Sequence, residues 1–199
     1  MSHIVLATRN AGKLRELRSL LSETGWRVHG LQEIAMPAEV EETGATFSEN
    51  ARRKAVAYSG RTDYPVLADD SGLEVFALGG RPGVVSARYA GEGAGDAERI
   101  ANLLAELDQT HGGRDARFVC ALALALRGHL LLEVEGECRG VIAPEPRGRR
   151  GFGYDPVFFF PQLGKTFAEL SEEEKNAHSH RGHAVKLLLT RLAEQSGLG

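Results

Sequence analysis

A strong excess of either charge is missing from this chain, which has 24 Lys and Arg against 27 Asp and Glu. The formal net charge of its 199 residues is -3 and the pI is near 6.2, so no global field advertises a nucleic acid or an anionic membrane as partner. Cysteine is scarce as well. Cys120 in "RFVCALALAL" and Cys138 in "EGECRG" lie in strand-like segments without metal-type spacing, and the default for each is a buried or half-buried thiol. No apolar run approaches membrane-spanning length, and the opening residues lead into a strand without a charged-then-apolar signal pattern. A reducing, cytoplasmic setting is the expectation. Internal repeats and long linkers are absent too: "GEGAGD" and "THGGRD" are short glycine-rich connections, so residues 1–199 are expected to form a single domain.

What is present alternates between two periods. Leu14, Leu17 and Leu21 recur at helical spacing, as do Ile100, Leu103, Leu104 and Leu107 behind an Asp96 cap, and Val185, Leu188, Leu189 and Leu192 near the end. "HIVLAT", "WRVHGL", "PVLADD", "LEVFAL", "RFVCALALAL" and "LLLEVEGE" read as strands bounded by Gly, Pro, Asp and Arg. Strands and helices alternate at first and strands then follow one another, which predicts an α/β fold with a mixed sheet flanked by helices.

Chemistry concentrates in five stretches. In "IVLATRNAGKLREL" a strand runs into a helix whose unpaired N–H groups and positive dipole end suit an anion, with Lys13 adding a full charge. It is not a Walker A loop, because the earlier glycine is missing and Leu14 follows the lysine. In "PVLADDSGLEV" two carboxylates and a hydroxyl, Asp69, Asp70 and Ser71, fall at what reads as a strand's end, where open α/β sheets place ligands. Successive strand residues point to opposite faces, so one aspartate enters a site while the other braces the turn. In "EVEETGATFSENARRKAVAYS", Thr46 and Glu49 match a capping box, Asn50 and Lys54 edge the buried face of the helix, and Glu39, Glu41 and Glu42 offer oxygens to a hard cation. In "GRRGFGYDPVFFFP", Phe152 and Tyr154 alternate with glycines as stacking surfaces, whereas Val157 to Phe160 read as core. Finally "SEEEKNAHSHRGHAVKLLL" clusters Lys175, His178, His180, Arg181 and His183 as donors, with no cysteine or carboxylate to complete a zinc set.

Taken together, "ATRNAGKLREL", "EETGATFSENARRKA", "LADDSGLEVFALGGRPGVVSARYAG", "GFGYDPVFF" and "SEEEKNAHSHRGHAVKLL" resemble the inosine triphosphate pyrophosphatase family, the dITP/XTP pyrophosphatases, in order from Ile4 to about Leu192. The resemblance implies hydrolysis of ITP, dITP or XTP to the monophosphate and pyrophosphate with Mg²⁺, in a homodimer whose two lobes form a cleft around a long mixed sheet. Carried over by motif, Thr8, Arg9, Asn10, Ala11, Gly12 and Lys13 would hold the triphosphate. Glu42 and Asp70 would bind the metal, and Asp70 would also activate water. Lys54 and Ser71 would contact phosphate or sugar, and Phe152, Gly153, Tyr154, Asp155, Lys175, His180 and Arg181 would form the base pocket. Arg147, Arg149 and Arg150 inherit no role. Two alternatives stand beside this reading, a Maf-like pyrophosphatase of other base specificity and a non-catalytic nucleotide-binding module. The "SHRG" and "FGYD" motifs argue against the first, and intact Lys13, Glu42 and Asp70 against the second.

Overall fold

The computed structural model describes residues 3–36, 40–110 and 112–196. Its elements follow in the order β1 (His3–Ala7), α1 (Ala11–Leu20), β2 (Arg27–Gly30), α2 (Phe47–Ser59), β3 (Val66–Val75), α3 (Asp96–Asp108), β4 (Asp115–Leu126), β5 (His129–Ile142), β6 (Phe158–Phe160), β7 (Lys165–Thr166), α4 (Glu172–His178) and α5 (His180–Ser196). One sheet takes the seven strands in the order β2, β1, β3, β4, β5, β6, β7. It is mixed: β1 runs parallel to β2 and β3, and β6 antiparallel to β5 and β7. β4 and β5 are joined by Arg127 and Gly128, both with positive φ (49° and 79°), the backbone that a two-residue hairpin requires.

Packing divides the chain into two compact units. The first takes the residues through Asp70, Cys120–Gly136 and those from His180 onward. Its core is aliphatic, with Leu6, Leu17, Leu21, Leu67, Leu122 and Leu188 all shielded from water. In β1, Ile4, Val5, Leu6 and Ala7 are all buried, as expected of a parallel strand covered on both faces. Helix α5 lies close against β5. A Cβ at Gly136 would sit 2.4 Å from both the Ala184 nitrogen and the His180 carbonyl oxygen, backbone atoms that no rotamer change can move. Gly136→Ala is therefore expected to displace the first turn of α5 at a cost of about 1–3 kcal/mol. For a chain of this length that lowers Tm by about 2–4 °C per kcal/mol, and an unchanged melting curve would refute the close approach.

The second unit takes Ser71–Val119 and Glu137–Ser179. Its core is aromatic: Phe118, Phe158 and Phe167 meet with ring centroids 4.5 Å (Phe118 to Phe158) and 4.8 Å (Phe158 to Phe167) apart, among Leu73, Leu103 and Ile142. Three local expectations change. β3 does not end with "PVLADD" but continues through Ser71 and Gly72 to Val75, joining what read as two strands, because Leu73 and Val75 still have a core to enter. "FAL" then leaves the strand as a single 3₁₀ turn, Phe76–Leu78. Helix α3 is capped by Gly95, whose N–H donates to Glu98 Oε2 at 2.7 Å, rather than by Asp96. Asp96 instead accepts from the Gly153 N–H at 2.7 Å.

Candidate functional site

In the first unit, β1 delivers the chain to α1 through a self-bonded turn. Thr8 Oγ1 accepts from the Asn10 N–H at 3.2 Å, and the Asn10 side chain accepts from the Lys13 N–H at 3.1 Å as N-cap. Gly12 is buried, whereas Arg9, Asn10 and Ala11 are exposed. The first turn carries no acidic residue of its own to oppose an anion at this helix end. Lys13 is tethered: its Nζ lies 2.7 Å from Asp69 Oδ1.

Asp69 and Asp70 part company as strand alternation predicts, but Asp69 braces a charge network and not a turn. Asp69 is fully buried, and the donors that reach it include Lys13 on Oδ1 and both Arg181 Nε (2.8 Å) and the Cys120 thiol (3.2 Å) on Oδ2. Burial alone would raise its pKa, yet Arg181 and Lys13 outweigh it and hold the carboxyl well below the usual range. Arg181 is itself buried and also pairs with Glu16 through Nη1. Burial, and then the Asp69 charge, push the Cys120 thiol well above its ordinary value. Cys120 and Cys138 are both free and buried, as the sequence suggested.

Asp70 has the opposite environment. Its Oδ1 is 3.1 Å from Lys54 Nζ, while its Oδ2 is buried without a hydrogen-bond partner among the described residues. The same Nζ reaches Glu42 Oε1 at 2.6 Å and donates to the Asp69 carbonyl at 2.8 Å. Desolvation raises the Asp70 pKa above that of an ordinary carboxylate despite Lys54. Burial disfavours the Lys54 ammonium, but Asp70 and Glu42 more than offset it and hold the pKa above its usual value. Of the three acids in the loop, Glu41 is exposed and Glu39 lies outside the described residues. Ser71, next on β3, is half-buried.

The second unit holds the aromatic loop. Asp155 Oδ2 accepts from the Phe152 N–H at 2.8 Å and pairs with Lys175 Nζ. Lys175 lies 5.1 Å over the Phe152 ring and 5.7 Å over Phe167. An added Cβ at Gly151, where φ is +73°, would meet Asp155 Oδ2 at 2.0 Å, so this turn is closed around the carboxylate. Tyr154 departs from the expectation of a stacking surface. Its ring belongs to the core and its hydroxyl donates to the Ser86 carbonyl at 2.9 Å, leaving half-buried Phe152 as the aromatic able to stack. Arg147 covers Phe159 at 5.3 Å and Arg150 donates to the Leu170 carbonyl at 3.0 Å, a structural use of two of the three loop arginines.

The residues grouped into one base pocket thus fall in both units. Phe152, Gly153, Tyr154, Asp155 and Lys175 belong to the second, and His180 and Arg181, in the first turn of α5, to the first. His180 is buried. Sequence reasoning missed Glu16 and Cys120. Glu16 carried a usable signal, since it stands one turn beyond Lys13 on the same helix, whereas nothing local links Cys120 to Asp69 across 51 residues.

A model of the Ham1 family matches residues 4–191, and the chain belongs to that family. It is similar to the dITP/XTP pyrophosphatase of Gloeobacter violaceus, 57% identical over 192 residues that cover 96% of this chain and 94% of the relative. The dITP/XTP pyrophosphatase of Geobacillus kaustophilus is 56% identical over 196 residues, 98% of this chain and 94% of its own. Among solved structures, a HAM1 protein from Coxiella burnetii matches with a TM-score of 0.88 at 46% identity, covering 98% of this chain and 100% of that one.

Proposed function

We propose that this chain is a nucleoside triphosphate pyrophosphatase that hydrolyses non-standard purine nucleotides, ITP, dITP and XTP, to the monophosphate and pyrophosphate. Relatives named dITP/XTP pyrophosphatase along almost the whole chain support the class of substrate. The observation that carries the chemistry is the buried, unpartnered Oδ2 of Asp70 beside a lysine shared with Glu42. Two carboxylates converging within reach of one ammonium, one with an unused buried oxygen, suit a small hard cation. Among the described residues no group of three or more metal-binding side chains gathers, so substrate oxygens would complete the coordination, as is usual for magnesium. Glu42 and Asp70 are therefore assigned to hold Mg²⁺, which when bound supplies positive charge against the phosphate oxygens.

The chain's own residues do the rest. Residues 8–13 receive the triphosphate at the α1 N-terminus, with Lys13 held in place by Asp69 and Lys54 and Ser71 on phosphate or sugar. A water oxygen attacks the α-phosphorus, its proton passes to Asp70, and the bond to the bridging oxygen breaks to release pyrophosphate. For the base, Phe152 in the second unit is assigned to stack, with Asp155 and Lys175 beside it, and His180 and Arg181 in the first unit are assigned as donors. Hypoxanthine and xanthine carry an oxygen at C6 where adenine carries an amino group, so donors at that position are satisfied by the former and left unpaired by the latter. Arg181 enters with Nε and Nη1 committed to Asp69 and Glu16, so donation from those nitrogens comes at a carboxylate's expense. A homodimer, implied by the family resemblance, and a reducing, cytoplasmic setting, expected from the scarce cysteines, complete the reading. Among the described residues no helix is long and apolar enough to cross a membrane.

Product analysis tests the reaction. With Mg²⁺, ITP is expected to give IMP and pyrophosphate, with GTP and ATP turned over far more slowly. IDP and orthophosphate as products would overturn the proposal.

A further inference from the structure

The loop carrying Glu42 is tied, residue by residue, to the helix that follows it. Ala45 donates its N–H to Glu49 Oε2 at 2.7 Å, and Gly44 donates its N–H to Asn50 Oδ1 at 2.7 Å. Thr43 Oγ1 accepts from Arg53 Nη1 at 2.5 Å, and Glu42 Oε1 from Lys54 Nζ at 2.6 Å. Residues 42–45 are thus held in reverse order by side chains from the first two turns of α2. Among these holders Asn50 is distinct. Glu49 also grips backbone but is exposed, whereas Asn50 is 1% exposed and a Cβ at Gly44 would lie 2.7 Å from its Oδ1. The loop approaches Asn50 as closely as a residue without a side chain permits.

We propose that Asn50 is a positioning residue: by fixing Gly44 it sets where Glu42 presents its carboxylate toward Asp70, and thereby the affinity for a divalent cation. The inference rests on the reading that Glu42 and Asp70 hold that cation. Adjacent Glu41 and Glu42 repel one another, and an acidic loop without this anchor relaxes away from a second carboxylate at Asp70. Losing the acceptor also strands the Gly44 N–H. The cation must then order the loop as it binds, which weakens binding while leaving the assembled site unchanged.

Asn50→Leu removes the acceptor at similar size. Three measurements are made: amide hydrogen exchange of residues 40–46, Mn²⁺ binding to the nucleotide-free enzyme by calorimetry, and Mg²⁺ activation of ITP hydrolysis. Exchange in 40–46 is expected to quicken. The Mn²⁺ Kd and the half-activating Mg²⁺ concentration should both rise about tenfold, the order of one lost hydrogen bond. At saturating Mg²⁺, kcat should stay within about twofold of the parent, since the assembled site is the same. Asn50→Asp keeps an oxygen for the Gly44 N–H and should restore slow exchange. If Asn50→Leu does not fold, Asn50→Ala, a strong helix former, takes its place with the same expectations. Unchanged exchange, or a kcat lost at every Mg²⁺ concentration with unaltered half-activation, would overturn the role. Glu42→Gln separates the two claims. If it leaves Mn²⁺ binding unchanged, the cation reading fails and the inference with it, whereas Mn²⁺ binding that responds to Glu42→Gln but not to Asn50→Leu overturns Asn50 alone.

Discussion

Asp70→Asn is expected to lose at least about a thousandfold in kcat while folding as well as the parent chain or slightly better. The amide matches the carboxylate in shape and can keep an oxygen toward Lys54, but it takes no proton and offers no anion to a cation. Stability moves the other way for a reason visible in the site. Burial raises the Asp70 pKa, which means that the ionised form costs the folded state free energy. Its Oδ2 has no partner to offset that cost, and Lys54 retains Glu42 when the charge is gone. A loss of activity with an unchanged or raised Tm is the mark of a residue kept for chemistry at the expense of stability. Near-normal turnover in the folded variant would remove Asp70 from the mechanism, and a Tm several degrees lower would show that its ionisation supports the fold.

How much of this was legible beforehand depended on range. The helical stripes led by Leu17, Leu103 and Leu188 fixed which faces turn inward, since a periodicity of 3.6 is a local property, and all three are buried. The alternation of Asp69 and Asp70 was likewise local, and the two carboxylates do have different surroundings. What Asp69 braces was not local. Its partners come from α1, β4 and α5, up to 112 residues away, and no spacing in the chain announces a meeting of Lys13, Cys120 and Arg181. Tyr154 shows the reverse error. An aromatic that follows a glycine in a turn reads as an exposed surface, but a phenol ring is large enough to enter a core when its hydroxyl finds an acceptor, here the Ser86 carbonyl. The end of β3 was misplaced because two aspartates signal a turn, whereas Leu73 and Val75 beyond them supply the burial that keeps the strand going.

Asp69→Asn should behave as the opposite of its neighbour and lose stability first. Its carboxyl is held well below the ordinary range because Arg181 and Lys13 together outweigh the cost of burial, so here the charge stabilises the folded chain. Neutralising it leaves a fully buried guanidinium with Glu16 alone among the two carboxylates it now pairs with, and leaves Lys13 untethered. Removing one partner from a buried ion pair costs about 3–5 kcal/mol, which for a chain of this length lowers Tm on the order of 10 °C. Activity falls as a consequence. A Lys13 no longer fixed against Asp69 must be ordered by the triphosphate itself, so KM should rise more than kcat falls. A compensating variant makes the cause explicit. Asp69→Asn combined with Arg181→Met removes both charges of the pair and should melt above the single variant, since an apolar side chain has no charge left to satisfy. Asp69→Asn melting within about 2 °C of the parent, with KM unchanged, would show that Lys13 and Arg181 hold their places without it.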